Sequence, residues 1–160
     1  MRTLSLRARP VLPFESGAGR PAVPLPAVDL AAFERLAAEF ARGLKPGDVV
    51  ALHGDVGAGK TTFVAAAVRA LGGDDAVSSP TFTFWHRYRG AATPLEHLDL
   101  YRVERPSDAS ELGLEDAFEG SGIVFVEWPE RLPRLIPSGA IRVRIAGSGL
   151  GPRTVAIERG

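Results

Sequence analysis

The eight residues Gly54-Asp55-Val56-Gly57-Ala58-Gly59-Lys60-Thr61 fit the spacing G-x-x-x-x-G-K-[ST]. Each fixed position has a chemical reason. Glycines let backbone N–H groups converge on an anion that side chains would otherwise block. A helix beginning near Gly59 and Lys60 points its positive end at the same anion. Lys60 adds a cation for β- and γ-phosphates, and Thr61 adds a hydroxyl for Mg²⁺. In a chain of this composition the pattern is expected about 0.002 times by chance. Only Lys45 and Lys60 of the 19 basic residues are lysine, so a lysine at position 60 carries more information than usual. Thr62 is read either as a further phosphate cap or as an ordinary first-turn residue. Asp55 is read as a loop hydrogen-bond acceptor rather than a metal ligand.

Such a loop needs an acid to hold Mg²⁺ or its waters, usually at the end of a neighbouring buried strand. Two acids qualify. Glu127 closes the apolar run Ile123 to Val126, and Asp99 closes a more polar strand. On strand hydrophobicity alone, Glu127 is favoured as the metal-side carboxylate and Asp99 is left to assist with metal or water. An acid closing a buried strand is costly unless paired. His53 and His97 read as satisfied core or edge histidines. Trp128 either stacks on a base or packs under the site. Thr81 and Thr83, after Ser79-Pro80, suit a loop that senses a γ-phosphate, although composition alone reads them as a polar strand start.

These residues need a scaffold. Asp29 is an N-cap, and Leu30, Phe33, Leu36, Ala37, Phe40 and Leu44 recur at helical spacing behind it, predicting a helix to about Gly43. Val49 to Leu52 reads as a strand buried on both faces. Thr61 to Leu71 reads as a helix stopped by Gly72-Gly73. Phe82, Phe84 and Tyr88 fall at even spacing and suggest a strand, with Leu95 to Arg102 its return. In that return strand Leu98 and Leu100 take one face, and His97, Asp99 and Tyr101 take the other. Pro106 to Phe118 predicts one or two short helices capped by Ser107. Ile141 to Ala146 and Arg153 to Glu158 predict a hairpin at the sheet edge. Pro21 to Pro26 suits a short edge strand, and Met1 to Gly19 reads as a loose leader. The fold class is therefore α/β and P-loop NTPase-like, a mixed central β-sheet flanked by helices in a single domain over residues 20–160.

Composition narrows the partners. Net charge is zero, which disfavours tight direct binding of tRNA or DNA by this chain alone. With no cysteine, thiol catalysis and Cys-ligated metal sites are excluded. No apolar run approaches the roughly 18 residues of a membrane span, and no apolar stretch follows Arg2, Arg7 and Arg9 as a secretory signal requires. A cytoplasmic location is the expectation.

Four ordered blocks carry a family resemblance. Ser79-Pro80-Thr81-Phe82-Thr83, His97-Leu98-Asp99-Leu100-Tyr101-Arg102 and Val126-Glu127-Trp128-Pro129 follow the phosphate loop and Thr62. This series resembles the TsaE family, small bacterial ATPases of tRNA threonylcarbamoyladenosine synthesis, over about Val23 to Ala146. The resemblance implies ATP and Mg²⁺ as cofactors and a weak hydrolysis switched on by partners. Those partners would be TsaD and TsaB, which transfer the threonylcarbamoyl group to adenosine 37, with tRNA reached only through them. It places Lys60 and Thr61 at phosphate and Mg²⁺, Glu127 as the metal-associated acid and Asp99 as the second functional acid. It also places Ser79, Thr81 and Thr83 in a switch-like segment and Trp128 beside the nucleotide.

Two other readings keep the same loop. A small-metabolite kinase would need an acceptor pocket and a lid delivering arginines such as Arg131 and Arg134, which Pro129, Pro133 and Pro137 stiffen. A docking protein ordered by nucleotide would hydrolyse it only incidentally. A GTPase is disfavoured because no Asn/Thr-Lys-x-Asp motif exists.

Overall fold

The computed structural model describes residues 25–74 and 76–160. The Met1–Gly19 leader and most of the Pro21–Pro26 strand lie outside the described residues. Within them, Leu25 N donates to Val155 O at 2.8 Å and Val28 forms an antiparallel bridge with Arg153.

Helix α1 (Leu30–Arg42) starts where expected, with Asp29 Oδ1 accepting from Ala32 N at 2.8 Å. Its buried positions Phe33, Ala37, Phe40 and Ala41 form one stripe. Helix α2 (Lys60–Ala70) buries Phe63, Val64, Ala67 and Val68. The two helices meet through aromatic edges, Phe33 with Phe63 at 5.8 Å and Phe40 with Phe63 at 5.6 Å between centroids. Each fully buried Phe is worth roughly 1.5–3 kcal/mol of transfer free energy, so this contact holds the two helices against each other.

The sheet has six strands in the order β2-β3-β4-β1-β5-β6. Here β1 is Val49–His53, β2 Trp85–Tyr88, β3 Leu95–Asp99, β4 Ile123–Glu127, β5 Ile141–Ala146 and β6 Thr154–Glu158. Strands β3, β4, β1 and β5 run parallel, and β2 and β6 close the edges antiparallel. One face packs Val50, Leu52, Phe125 and Val143 against α1 and α2. The other packs Val49, Leu98, Val124 and Val126 under Leu100, Val103, Leu114 and Leu132. Alternation puts His97, Asp99 and Glu127 on the side of the sheet that α2 covers.

Three local expectations need correction. The strand read from Phe82 begins only at Trp85, because Pro80 to Thr83 is a turn that leaves Phe82 81% exposed and Phe84 at φ 63°. The return strand stops at Asp99, and Tyr101 lies beyond it, partly exposed. Ser107 precedes α3 (Asp108–Glu111) but makes no side-chain cap. Asp108 orders that corner instead, its Oδ2 accepting from Glu104 N and Arg105 N.

Strand β3 is the more polar of the two acid-bearing strands, as read, and all five of its residues are nonetheless buried. Glu96 accepts from Trp85 Nε1 and Arg87 Nε, each at 2.7 Å. Paired in this way, a strand carrying Glu, His and Asp is as deep in the sheet as β4.

Candidate nucleotide site

The register of the parallel strands builds the site. Leu52 pairs with Glu127 and Asp99 pairs with Glu127. Both acids and the start of the glycine loop therefore emerge at the same carboxyl edge, where open α/β sheets form their crevices. A cavity of about 580 Å³ opens there. Of the residues singled out from sequence, Val56, Gly57, Gly59, Lys60, Thr61, Thr62, Ser79, Thr81, Asp99, Glu127 and Trp128 line it.

The loop's glycines serve distinct ends. A Cβ on Gly54 would stand 2.5 Å from Ile145 O, so this residue lets the loop pass against β5. Gly57, at φ 78°, meets nothing within 4 Å and presents bare backbone to the cavity. Gly59, at φ 111°, starts α2 with no side-chain cap, leaving the helix's first N–H groups facing the loop. Gly54 and Ala58 are not among the cavity-lining residues, and Ala58 is buried in the core. The Asp55 carbonyl accepts from Ala58 N at 3.1 Å and Lys60 Nζ at 2.9 Å, while its residue is exposed.

Lys60 is buried, and its ammonium donates to the carbonyls of Gly54 and Asp55. An ammonium has three donors, and the third remains for an anion. Burial holds the Lys60 pKa below the ordinary lysine value, against the pull of Glu127, Glu130, Asp99 and Asp55. The Trp128 ring lies 4.0 Å from Nζ and 5.0 Å from the Tyr101 ring. Trp128 sits at φ 58°, an uncommon conformation for a bulky residue. That backbone turn follows Glu127 directly and swings the indole against the cation.

The two acids are held differently. Glu127 Oε1 accepts from Thr61 Oγ1 and from His97 Nε2, each at 2.8 Å. Asp99 Oδ2 accepts from the hydroxyls of Ser79 and Thr81, the latter at 2.6 Å, and Oδ1 accepts from Tyr101 N at 2.9 Å. Phe84 O accepts from Asp99 N at 3.0 Å, so the 80–84 turn is pinned to the same acid. Ser79 and Thr81 join the site, whereas Thr83 is exposed and lines a separate cavity. His97 is fully buried, as expected of a satisfied core histidine, but its partner is the site acid. His53 lies at the carboxyl end of the central strand β1 rather than on an edge strand, with Nδ1 3.2 Å from Glu130, and burial holds its pKa low. Arg131 stacks over Tyr101 at 5.7 Å, and neither it nor Arg134 lines the cavity.

Three lining residues were not singled out from sequence: Tyr101, Gly149 and Arg153. Arg153 donates to the carbonyls of Ser148, Gly149 and Gly151 and packs beside Gly59, with Nε unpaired among the described residues. Tyr101 stood within a motif block. Nothing local marks Gly149 or Arg153, because the β5–β6 hairpin alone brings them here.

Among the described residues, no group of three or more His, Asp or Glu side chains stands ready to hold a metal ion. The donor set of one hydroxyl and one or two carboxylates suits Mg²⁺ only when polyphosphate oxygens and water complete the shell. Backbone N–H groups, a helix start and a lysine could receive such a polyphosphate. The residues thus fit a Mg²⁺–nucleotide pair better than either component alone.

The wider similarities run through the same residues. The family model described as "Threonylcarbamoyl adenosine biosynthesis protein TsaE" matches residues 27–155. The tRNA threonylcarbamoyladenosine biosynthesis protein TsaE of Bacillus subtilis (strain 168) is 40% identical over 124 residues, 78% of this chain and 75% of the relative. The protein of the same name from Nostoc sp. is 42% identical over 118 residues, 71% and 72% of the two chains. The crystal structure of YdiB from Bacillus subtilis superposes with a TM-score of 0.69 at 29% identity, covering 89% of this chain and 90% of that one. The matched span holds the glycine loop, both acids and the hydroxyl segment that converge on the cavity, and by that span the chain belongs to the TsaE family of tRNA threonylcarbamoyladenosine biosynthesis.

Proposed function

We propose that this chain is a Mg²⁺-dependent ATPase, weak alone and stimulated by TsaD and TsaB, that drives or resets their threonylcarbamoyl transfer to adenosine 37 without performing it. The observation that supports this reading is the joining of Lys60, Thr61 and Glu127 in one cavity, where Thr61 already donates to Glu127. Loop N–H groups and Lys60 would bind the β- and γ-phosphates. The Thr61 hydroxyl and Glu127 would hold Mg²⁺, which neutralises charge developing on the transferred phosphoryl group. Thr61 can offer an oxygen lone pair to the metal while its O–H still donates to Glu127, so the observed hydrogen bond is compatible with that role. Asp99 ties the Ser79 and Thr81 hydroxyls to the sheet, so this segment would report on what occupies the cavity. A cytoplasmic setting and contact with tRNA through the partners belong to the same reading.

ATP turnover measured with and without purified TsaD and TsaB tests it. Wild-type turnover should rise with the partners, and Lys60→Ala should abolish nucleotide binding or turnover. Glu127→Ala should lower turnover by about 10²–10³ while nucleotide affinity changes far less. Nucleotide binding with no turnover, partners or not, would favour a docking protein ordered by nucleotide.

A further inference from the structure

We infer that Tyr88 and His97 form a buried positioning chain that sets the orientation of the Glu127 carboxylate; this rests on the ATPase reading of the site. Glu127 has three rotatable side-chain bonds, so its reach from the end of β4 does not by itself fix where its two oxygens lie. Both of its donors land on the same oxygen, Thr61 Oγ1 from α2 and His97 Nε2 from β3. Oε2 has no donor among the described residues and is the oxygen left for the metal or its water.

The chemistry of the chain is directional. A carboxylate only accepts, so the His97 proton toward Glu127 sits on Nε2. Nδ1 is then free to accept from the Tyr88 hydroxyl, 2.9 Å away. The two rings lie nearly parallel, 6.0 Å apart with an interplanar angle of 30°. His97 is 0% and Tyr88 3% exposed, so water does not replace either bond. A flipped or rotated imidazole would leave polar atoms unpaired in a dry interior. A histidine that merely filled the core would need no link to a site acid. This one couples the edge strand β2, through β3, to the acid of β4. Partners of this kind that orient a site ligand typically matter by 10–100-fold in activity or metal affinity.

The amide of Gln reaches about as far as Nε2, and that of Asn about as far as Nδ1. His97→Gln should therefore keep a donor on Glu127, and His97→Asn should lose it. In the partner-stimulated ATPase assay, His97→Asn is expected to lose about 10–100-fold in kcat, with the KM for ATP little changed. His97→Gln is expected to recover most of that loss, although both variants lower Tm similarly. Tyr88→Phe, which keeps the ring and removes its hydroxyl, should show a smaller loss in kcat of the same kind, and it carries the test should His97→Asn fail to fold. Equal kcat for His97→Gln and His97→Asn, or a Tyr88→Phe protein with wild-type kcat, overturns the positioning role alone. A wild-type protein with no turnover under any condition sinks the ATPase reading and this inference together.

Discussion

Lys60 shows how one side chain links site and solvent. Its burial disfavours the charged form, and the four nearby carboxylates restore it only in part. A triphosphate would supply the missing counter-charge, so binding and protonation of Lys60 are coupled. The free protein's Lys60 pKa lies below 10.5, and a bound anion raises it. Affinity is then fullest while the free protein's lysine is charged and declines as pH rises through its depressed pKa. Calorimetric ATP titrations at increasing alkaline pH should show weakening that begins before the ordinary lysine range. A flat profile would mean that Lys60 does not carry the phosphate charge. Gly57 makes a second case at this scale. Gly57→Ala meets no atom within 4 Å, but its φ of 78° should cost about 1–2 kcal/mol in a left-handed conformation, read as a lowered Tm.

At the scale of elements, the seams between loop, helix and strand decide stability. Gly54 lies where the loop crosses β5, and an added Cβ would strike the Ile145 carbonyl. Gly54→Ala should therefore push loop and strand apart and weaken nucleotide binding as well as the fold. Comparison with Gly57→Ala in the same titration separates the backbone clash from conformational strain. Asp108 governs the corner before α3. Backbone hydrogen bonds from Arg105, then Glu104, and the Arg105 charge hold its carboxyl below the ordinary value of 3.8. A depressed acid stabilises the fold above its unfolded pKa and loses that contribution as pH falls through the folded one. Asp108→Asn should thus lower Tm at neutral pH, and the difference from wild type should shrink below about pH 4. A gap that persists in acid would point to lost hydrogen-bond geometry rather than lost charge.

At the scale of the whole molecule, the site is a property of the sheet. Strand β1 lies between β4 and β5, so the loop that leaves it faces the β4 acid on one side and the β5–β6 hairpin on the other. A ligand gripping loop, helix start and two strand ends stabilises the entire fold by mass action. At a free nucleotide concentration a hundredfold above Kd the gain is about 2.7 kcal/mol. For a domain of this size that corresponds to a rise in Tm of roughly 5–10 °C. Thermal scans with Mg²⁺–ATP should show this shift for the wild type and none for Lys60→Ala. An equal shift in both would move the binding site elsewhere.

The sequence by itself determined what is local. The glycine-rich loop, its flanking strand and helix, the Asp29 cap and the position of the two acids at strand ends were all legible, because spacing and backbone chemistry over a few residues specify them. The same reasoning failed wherever a distant partner sets the outcome. Phe82 and Phe84 alternate like strand residues, yet Pro80 and the tie from Asp99 N to Phe84 O hold them in a turn. Strand β3 reads as more polar than β4, yet it is equally buried, because each of its polar side chains has a partner from another element. His97 read as an ordinary core histidine, and Gly149 and Arg153 gave no signal at all. Only the tertiary structure decided these, since burying a polar group is acceptable once a partner supplies its hydrogen bonds, and that partner lies far along the chain.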